Sequence, residues 1–402
     1  MEAILFLQDA IVLDQLIYAA GAALTRGREK ASLSGIEVAS FSGPEIHAIA
    51  PEWRALEARQ PEAGTVFQSC DLILAWERYF ANARNELRIV TVRRQGELVL
   101  VWPLAVETTL LGRIACWAGD PIGQYGDVIA AEGGAREEWI DAAFAEIGRD
   151  EKIGFLCLRG LRADSAIAAW AARRGIALGP VAEAPVLDTT GFDGIDGFMA
   201  EDWPLARRNA KRMRKFDTMG GMDFEIVGPG PEAAALVQKA FAFKRDWLSA
   251  RGLYGRAFTD SRMENCLVEF AGDASASCGL AVSHLTVDGE TAAIEIGFRR
   301  GGRHYAYMGT FAPEFAKHSP GFVVTELTIR DCVAQGIAEY DPMPPADDYK
   351  LAWSNARIAV HDYGIVLGWG GYLSLAVAAW ARPAAKRLFE RLPLKIRQKL
   401  RK

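Results

Sequence analysis

The sequence predicts an α/β protein made of two similar halves. The chain has 402 residues, of which 50% are hydrophobic and 24% charged, so it can bury a large core and is long enough for two domains. The same order of helix, two β-rich runs around an Xaa-Gly turn, second helix and buried strand occurs twice along the chain. A glycine-containing segment separates the two copies.

Each half begins with a helix and a β-hairpin. The dipeptides Gln95-Gly96 and Asp288-Gly289 stand between β-rich runs, and such dipeptides are typical of tight hairpin turns. The predicted elements are helix 71–80 with strands 87–92 and 98–104 in the first half, and helix 261–270 with strands 280–287 and 291–298 in the second.

A second helix and a buried strand complete each half. They are predicted at 136–149 and 153–159 in the first half, and at 321–336 and 337–340 in the second. Pro185, Gly191, Gly194 and Gly197 mark the join. We therefore expect a first domain at 34–190, a second at 195–370, an N-terminal amphipathic helix or extension at 1–33 and a basic tail at 371–402.

Charge is distributed unevenly. The whole chain has a formal net charge of −5, yet residues 382–402 contain nine Lys or Arg and one Glu. An acidic body excludes general affinity for nucleic acid. The basic end predicts peripheral contact with an anionic membrane. Its apolar stripe of Ala385, Leu388, Phe389 and Leu392 suits a basic amphipathic helix, with a solvated tail as the alternative.

An uncharged stretch precedes the basic end. Residues 363–381 carry no formal charge, and this length falls within the roughly 17–25 residues of a membrane span. The glycines at 364, 368, 370 and 371 instead favour a last strand followed by a short helix.

Cysteines and histidines are dispersed along the chain. None of the six cysteines forms a Cys-x-x-Cys pair, and most lie in apolar runs such as 155–158. This usage is typical of buried thiols in a reducing cytoplasm. The sequence therefore predicts a cytoplasmic protein without a metal site.

The candidate site lies between His304 and Trp353. Ser319 is a possible N-cap, Pro320 suits a first helical position and Gly321 permits close approach of a ligand. Free N–H groups at such a helix start can bind a pyrophosphate, although an ordinary capped helix explains the same pattern. A basic run at 207–215 is either a solvated helix face or a phosphate-facing surface.

Polar residues follow the strand predicted at 337–340. Asp341 stands at its carboxyl end, where α/β sheets place their chemistry, and Tyr349, Lys350 and Trp353 come in the next loop. Asp341 could equally cap a turn, and Tyr349 and Lys350 could anchor the loop. Residue types alone leave both interpretations open.

Taken in order, several segments resemble the CelD-type acetyltransferases, a FemAB-like, double-domain branch of the GNAT superfamily. The resemblance covers roughly residues 36–357 and is stronger in the second half. The segments that carry it are 67–80 (FQSCDLILAWERYF), Trp102-Pro103-Leu104, Tyr125-Gly126-Asp127, the basic run from Arg207, 307–315 (YMGTFAPEF), Ser319-Pro320-Gly321, Gly336, Tyr340-Asp341 and Tyr349-Lys350-x-x-Trp353.

This resemblance implies tandem GNAT-like acyl-CoA N-acyltransferase domains, each with a mixed, mainly antiparallel sheet flanked by helices. It also implies direct acyl transfer from a CoA thioester. Asp341 would deprotonate or orient the acceptor, Tyr349 would protonate the departing thiolate, and Lys350 would hold the acceptor or a phosphate. The implied donor-binding residues are Ser319, Gly321 and Phe322, and the implied substrate-binding residues are Tyr125, Asp127 and Trp353.

The sequence departs from the family pattern at two places. Pro345-Ala346 stands where a Gly is frequent, and proline has no N–H to offer a phosphate or an oxyanion. Gly309-Thr310-Phe311 stands where an acidic residue is frequent, so no acidic role is expected there.

Three functions stay open. The first is transfer from acetyl-CoA or a longer acyl-CoA (or an acyl-carrier protein) to a sugar or polysaccharide precursor of the cell envelope. The second is long-chain N-acylation of a lipid amine such as a sphingoid base, as a ceramide synthase performs. The third, of another class, is a non-catalytic scaffold in an envelope polysaccharide assembly.

Overall fold

The computed structural model describes residues 35–381 except 63, 254–257, 259 and 276–278. The predicted N-terminal helix and the basic segment 382–402 lie outside the described residues. The first strands are β1 (Ile36–Ser42), β2 (Asn85–Arg94), β3 (Glu97–Thr109), β4 (Gly112–Trp117), β5 (Ile129–Ala130), β6 (Ile153–Arg162), β7 (Ile176–Ala177) and β8 (Ala182–Asp188). They are followed by β9 (Met222–Val227), β10 (Leu280–Val287), β11 (Glu290–Arg300), β12 (Arg303–Phe311), β13 (Glu339–Asp341) and β14 (Ala356–Val366).

Helices cover both faces of the sheet. Those of the first half are α1 (Ile46–Arg59), α2 (Cys70–Phe80), α3 (Arg136–Ile147) and α4 (Ala168–Arg174). The later ones are α5 (Gly194–Ala200), α6 (Ala206–Asp217), α7 (Pro231–Ala250), α8 (Ser261–Gly272), α9 (Pro320–Ala334), α10 (Asp348–Leu351) and α11 (Gly371–Ala376). The predicted last strand and short helix are confirmed as β14 and α11. No helix in the described part of the chain is long and apolar enough to cross a membrane.

Both predicted hairpins are confirmed. Gln95 and Gly96 have φ of 52° and 82° between β2 and β3, and Asp288 and Gly289 have φ of 54° and 75° between β10 and β11. Two successive residues with positive φ make a type I′ turn, whose twist matches that of the flanking strands.

The repeated unit also contains a third strand that the sequence did not predict. In each half the hairpin continues into an antiparallel strand, β4 or β12, and a helix, α3 or α9, leads to a strand parallel to it, β6 or β13. The predicted fold class, two α/β units each with a mixed, mainly antiparallel sheet, is thereby confirmed.

All fourteen described strands form one sheet, so the halves are joined edge to edge. The strand order is β1-β2-β3-β4-β6-β14-β8-β13-β12-β11-β10-β9, with β5 on β3 and β7 on β14. β14 comes from the end of the chain but lies between β6 and β8, and β8 pairs with β13. Because these strands cross the join, the domain bounds drawn from the sequence stay a prediction.

The parallel strand pair differs between the halves. In the first half, the Gly126 N–H donates to the carbonyl oxygen of Gly160 in β6 at 3.1 Å, so the loop after β4 bonds directly to the neighbouring strand. In the second half, β12 pairs with β13 only from Arg303 to Tyr305, and from there to Phe311 it pairs with β11 alone. Residues 306–311 therefore lack a partner strand on the β13 side, and we call this gap the open cleft.

We predict that Gly126→Ala destabilises the protein. A Cβ at Gly126 would lie 2.0 Å from Trp117 Nε1, inside a rigid indole ring, and overpacking of this kind costs about 1–3 kcal/mol. Urea denaturation should show this loss of unfolding free energy.

The matched control is Gly134→Ala, where a Cβ meets nothing within 4 Å. Equal stability of the two variants would contradict the closed arrangement of the first half.

Candidate active site

Asp341 ends β13 and is completely buried. Its Oδ1 accepts from Tyr125 Oη at 3.1 Å and from the Met343 N–H at 2.7 Å, and its Oδ2 accepts from Arg162. Burial raises the pKa of Asp341 to about 6, against the opposing charge of Arg162. The structure thus brings Tyr125 of the first half and Asp341 of the second together.

A network of charges surrounds this contact. Arg162, itself buried at the end of β6, also pairs with Asp164 and Glu339 at 2.9 Å each. Arg303 of β12 pairs with the same two carboxylates at 3.1 and 2.8 Å. Each charged group of this network, where the two halves meet, therefore has a partner from a different strand or loop, as buried charges require.

Lys350 lies in α10, the short helix that follows the turn after Asp341. Its Nζ donates to the Met343 carbonyl oxygen at 2.9 Å, and the side chain is mostly buried. Burial lowers the pKa of Lys350. Met343 also donates its N–H to Asp341. Lys350 and Asp341 therefore both hydrogen-bond to the backbone of Met343 and stabilise the turn there.

The first turn of α9 stands at the mouth of the open cleft. Ser319 has a left-handed conformation with φ of 55°, and its side chain makes no capping hydrogen bond. Gly321 and Phe322 are half-buried, and the Phe322 ring lies 6.4 Å from the exposed ring of Tyr349, centroid to centroid. Of the three predicted donor-binding residues, Phe322 therefore adjoins Tyr349, and Ser319 and Gly321 precede it in the same turn.

Helix α6 carries the basic run and packs beside that first turn. Asn209 Nδ2 donates to the Phe322 carbonyl oxygen at 2.9 Å, and the Arg212 guanidinium lies over the Phe322 ring at 4.8 Å. Among the described residues, one carboxylate is within ion-pair distance of the basic side chains of α6, namely Asp202 beside Arg207 at 3.5 Å. The helix therefore presents several cations without carboxylate partners next to a helix start, which is a favourable place for phosphate groups.

Comparison with known proteins agrees with this arrangement. The family described as "Acetyltransferase (GNAT) domain" matches residues 206–351. Residues 206–351 form a GNAT acetyltransferase domain. The match contains α6, the gap beside β12 and the chain up to Lys350. A GNAT domain supports a transferase and implies an acyl-CoA as its co-substrate.

Solved structures show the same double-domain fold. The structure is similar to FemX (TM-score 0.56, 12% identity, covering 82% of this chain and 98% of FemX). It is also similar to the C-terminal domain (DUF2156) of a putative lysylphosphatidylglycerol synthetase from Agrobacterium fabrum (TM-score 0.53, 12% identity, covering 85% and 97%). A conserved protein of unknown function from Bacteroides thetaiotaomicron VPI-5482 follows (TM-score 0.50, 10% identity, covering 79% and 97%). A search of curated proteins found no match.

The GNAT domain contains a second buried carboxylate that the sequence prediction missed. Glu295 of β11 accepts from Tyr340 Oη and Thr325 Oγ1, each at 3.1 Å. Burial, followed by the charges of Glu295 and Asp347, raises the pKa of Tyr349 to about 12. The available signal was an acidic residue inside an otherwise apolar run, 292–298.

Lys244 of α7 is a second missed residue. Its Nζ donates to the Gly309 carbonyl oxygen of β12 at 3.3 Å, and burial lowers its pKa. The described residues place no carboxylate within ion-pair distance of it. Lys244 therefore adds a cation beside the part of β12 that β13 leaves unpaired, and nothing in the local sequence of α7 distinguished it from an exposed helical lysine.

Two predicted substrate-binding residues occupy structural positions instead. Asp127 accepts from the backbone N–H groups of Val128, Ala166 and Ile167 at 2.8–3.1 Å. Trp353 is buried and packs against the rings of Phe198 and Trp203, which also contact each other. Neither side chain faces the cleft, because one ties a loop to the start of α4 and the other fills the core under α5.

The described residues contain no group of three or more His, Cys, Asp or Glu side chains placed to hold a metal ion.

We predict that Arg162→Met lowers the free energy of unfolding by about 3–5 kcal/mol, because it leaves Asp341 charged and buried without its partner. Chemical denaturation at neutral pH measures the loss. Arg173→Met serves as the control, since its pair with Glu137 is largely exposed and should contribute at most about 1 kcal/mol. Similar losses for both variants would show that the network of charges where the two halves meet does not carry this stability.

Proposed function

We propose that the protein transfers an acetyl or longer acyl group from a CoA thioester to an amine or hydroxyl of an envelope-related acceptor. The observation that carries the proposal is the divergence of β12 from β13 beside the first turn of α9. Residues 306–311 of β12 have no partner strand on the β13 side, and backbone N–H and C=O groups there can bond to the amides of an extended donor arm.

Electrostatics favour a donor rich in phosphate. The start of α9 lies beside Asn209 and Arg212 of α6, so Ser319, Gly321 and Phe322 would line the pyrophosphate site through their backbones. Pro345 cannot contribute an N–H, and these groups make its contribution unnecessary.

The reaction is a direct transfer at this cleft. The acceptor nitrogen or oxygen forms a bond to the acyl carbon as the carbon–sulfur bond breaks. The thiolate leaves with a proton donated by a neighbouring acid, and the proton that the acceptor loses passes through solvent to restore that acid. Tyr349 borders Phe322 and keeps its proton at neutral pH because its pKa is about 12, which suits it to donate that proton.

Asp341 is assigned a positioning role in this scheme. Its oxygens are engaged by Tyr125, Arg162 and Met343, so it holds the groups around the acceptor and does not contact the acceptor itself. Lys350 supports the same turn through Met343.

A lipid amine is the second candidate acceptor. Large apolar side chains near the end of the described chain, Trp369 and Leu373 among them, are exposed, and one protein of the same fold is named for a lipid product, lysylphosphatidylglycerol. The basic segment 382–402 would place the protein peripherally on the inner face of the cytoplasmic membrane.

Thermal unfolding with a series from acetyl-CoA to palmitoyl-CoA tests the proposal. A donor at 100 times its Kd adds about 2.7 kcal/mol of stability, and the chain length that stabilises most identifies the acyl group. Absence of stabilisation by every acyl-CoA and by acyl-carrier protein would favour the non-catalytic scaffold.

We predict that Arg212→Gln raises the Kd for CoA about tenfold, the loss of one charge-assisted contact. Calorimetric titration measures it, and the salt dependence of binding should weaken in parallel. Arg214→Gln is the matched control, since a residue two positions along a helix faces a different side. Equal effects of the two substitutions would mean that α6 attracts CoA only through its total positive charge and that Arg212 makes no specific contact.

We predict that kcat/KM falls about tenfold per pH unit below pH 6. The pKa of Asp341 is raised to about 6, so the carboxylate that holds Arg162 and Tyr125 predominates above that pH and is lost below it. Asp341→Asn should lower the rate and remove the fall in kcat/KM below pH 6.

The control is Glu57→Gln. Burial raises the pKa of Glu57 to about 7. Its partners are the Cys70 N–H and Arg300 of β11, not Asp341, Arg162 or Tyr125, so this variant should keep the fall in rate below pH 6. An unchanged profile in Asp341→Asn would remove Asp341 from the mechanism.

A further inference from the structure

The end of the described chain exposes an unusually apolar helix face. α11 continues as a π-helical turn, 377–381, and residues 371, 374, 375 and 378 face the core. The opposite face presents Leu373 and Trp380, which are 60% and 54% exposed, and Trp369 just before the helix is 88% exposed. Tyr372 stands beside Trp369 with ring centroids 6.0 Å apart.

A hairpin from the first half adds to this face. Leu110, at the turn between β3 and β4, is fully exposed. The carbonyl oxygen of the next residue, Leu111, lies 3.4 Å from where a Cβ on Gly370 would be, so the hairpin tip adjoins the start of α11. We call Leu110, Trp369, Tyr372, Leu373 and Trp380 the C-terminal apolar surface.

This surface holds half of the large exposed apolar side chains. The described residues expose eight of them, and four, Leu110, Trp369, Leu373 and Trp380, are here. Scattered exposed apolar residues need no explanation, but a contiguous group indicates a binding surface. Two tryptophans and a tyrosine are the residues that favour the interface between lipid headgroups and acyl chains.

The charge of the neighbouring sequence indicates the partner. No residue from Tyr363 to Ala381 carries a formal charge, and the 21 residues that follow Ala381 contain nine Lys or Arg and one Glu. An apolar aromatic face joined to a strongly basic segment is complementary to an anionic leaflet, which offers an apolar interior below a negative surface.

Sheet topology places this surface at the same edge as the open cleft. β8 pairs antiparallel with both neighbours, through Leu187 with Tyr340 of β13 and through Val186 with Ala356 of β14. β13 and β14 therefore run in the same direction from the same level. The cleft opens beyond the end of β13, and the C-terminal apolar surface lies beyond the end of β14.

We propose that the C-terminal apolar surface inserts into the interface of an anionic lipid bilayer and turns the open cleft toward it. The acceptor then reaches the cleft from the bilayer, as a lipid or a lipid-linked molecule. This last point rests on the proposed acyltransferase function, whereas bilayer binding does not.

Co-sedimentation of the full chain with vesicles tests the proposal. Vesicles of phosphatidylcholine mixed with phosphatidylglycerol should bind the protein, and vesicles of phosphatidylcholine alone should bind it far less. The double variant W369S/L373S should lower the partition coefficient at least about tenfold. The matched control M199S/L253S removes two exposed apolar side chains elsewhere and should bind as the unchanged protein does.

Calorimetric titration with CoA separates this test from the proposed function. The W369S/L373S variant should bind CoA unchanged, which shows that it is folded and that lipid binding alone is lost. Vesicle binding that survives W369S/L373S but disappears on deletion after Ala381 would overturn the proposal in favour of the basic segment alone. Loss of self-association instead of vesicle binding, measured by light scattering, would overturn it in favour of contact between copies of the chain.

Discussion

The buried ion pair between Arg162 and Asp341 connects the two halves and shapes the site between them. Arg162 ends β6 of the first half and Asp341 ends β13 of the second, while β14 and β8 lie between these strands in the sheet. A buried charge requires a partner and further hydrogen bonds, and Tyr125, Asp164, Glu339 and Met343 supply them. The ends of the two strands are thus held in one relative position, and the cleft begins where β13 stops.

The two halves use the same unit in different ways. In both, a three-stranded antiparallel segment is followed by a helix and a parallel strand, an arrangement that leaves a gap wherever the parallel strands separate. The first half closes its gap with the bond from Gly126 to Gly160, and glycine is required at both places because a Cβ would meet Trp117 or Gln124. The second half leaves residues 306–311 without a neighbour on one side, and the cations of α6 and Lys244 lie nearby. The first half therefore lacks this gap, and the second half is the one to which we assign donor binding.

Local patterns predicted much of the fold. The hairpins followed from two Xaa-Gly dipeptides and the helices α2, α3, α8 and α9 from local apolar patterns, because these signals act over a few residues, whereas α1 and α7 were not predicted. The third strands β4 and β12 were missed, since their mixed polar and aromatic residues lack a clear alternation. The insertion of β14 between β6 and β8 could not be predicted, because it depends on pairing between residues about 200 positions apart.

The site, like the fold, could be predicted only where local sequence patterns determine it. Asp341 was identified from its place at the end of a strand. Nothing in the local sequence indicated that its partner would be Arg162, 179 residues away. Trp353 stood in the right motif, and only the packing of α5 shows that it fills the core.

The central claim is that an acyl-CoA binds at the open cleft of the second half. Hydrogen–deuterium exchange with and without saturating acyl-CoA tests it most directly. The account predicts slower exchange at residues 306–311 and 319–322, and unchanged exchange at 117–127 and at Gly160. Slower exchange confined to the first half, or no change in either half, would contradict it.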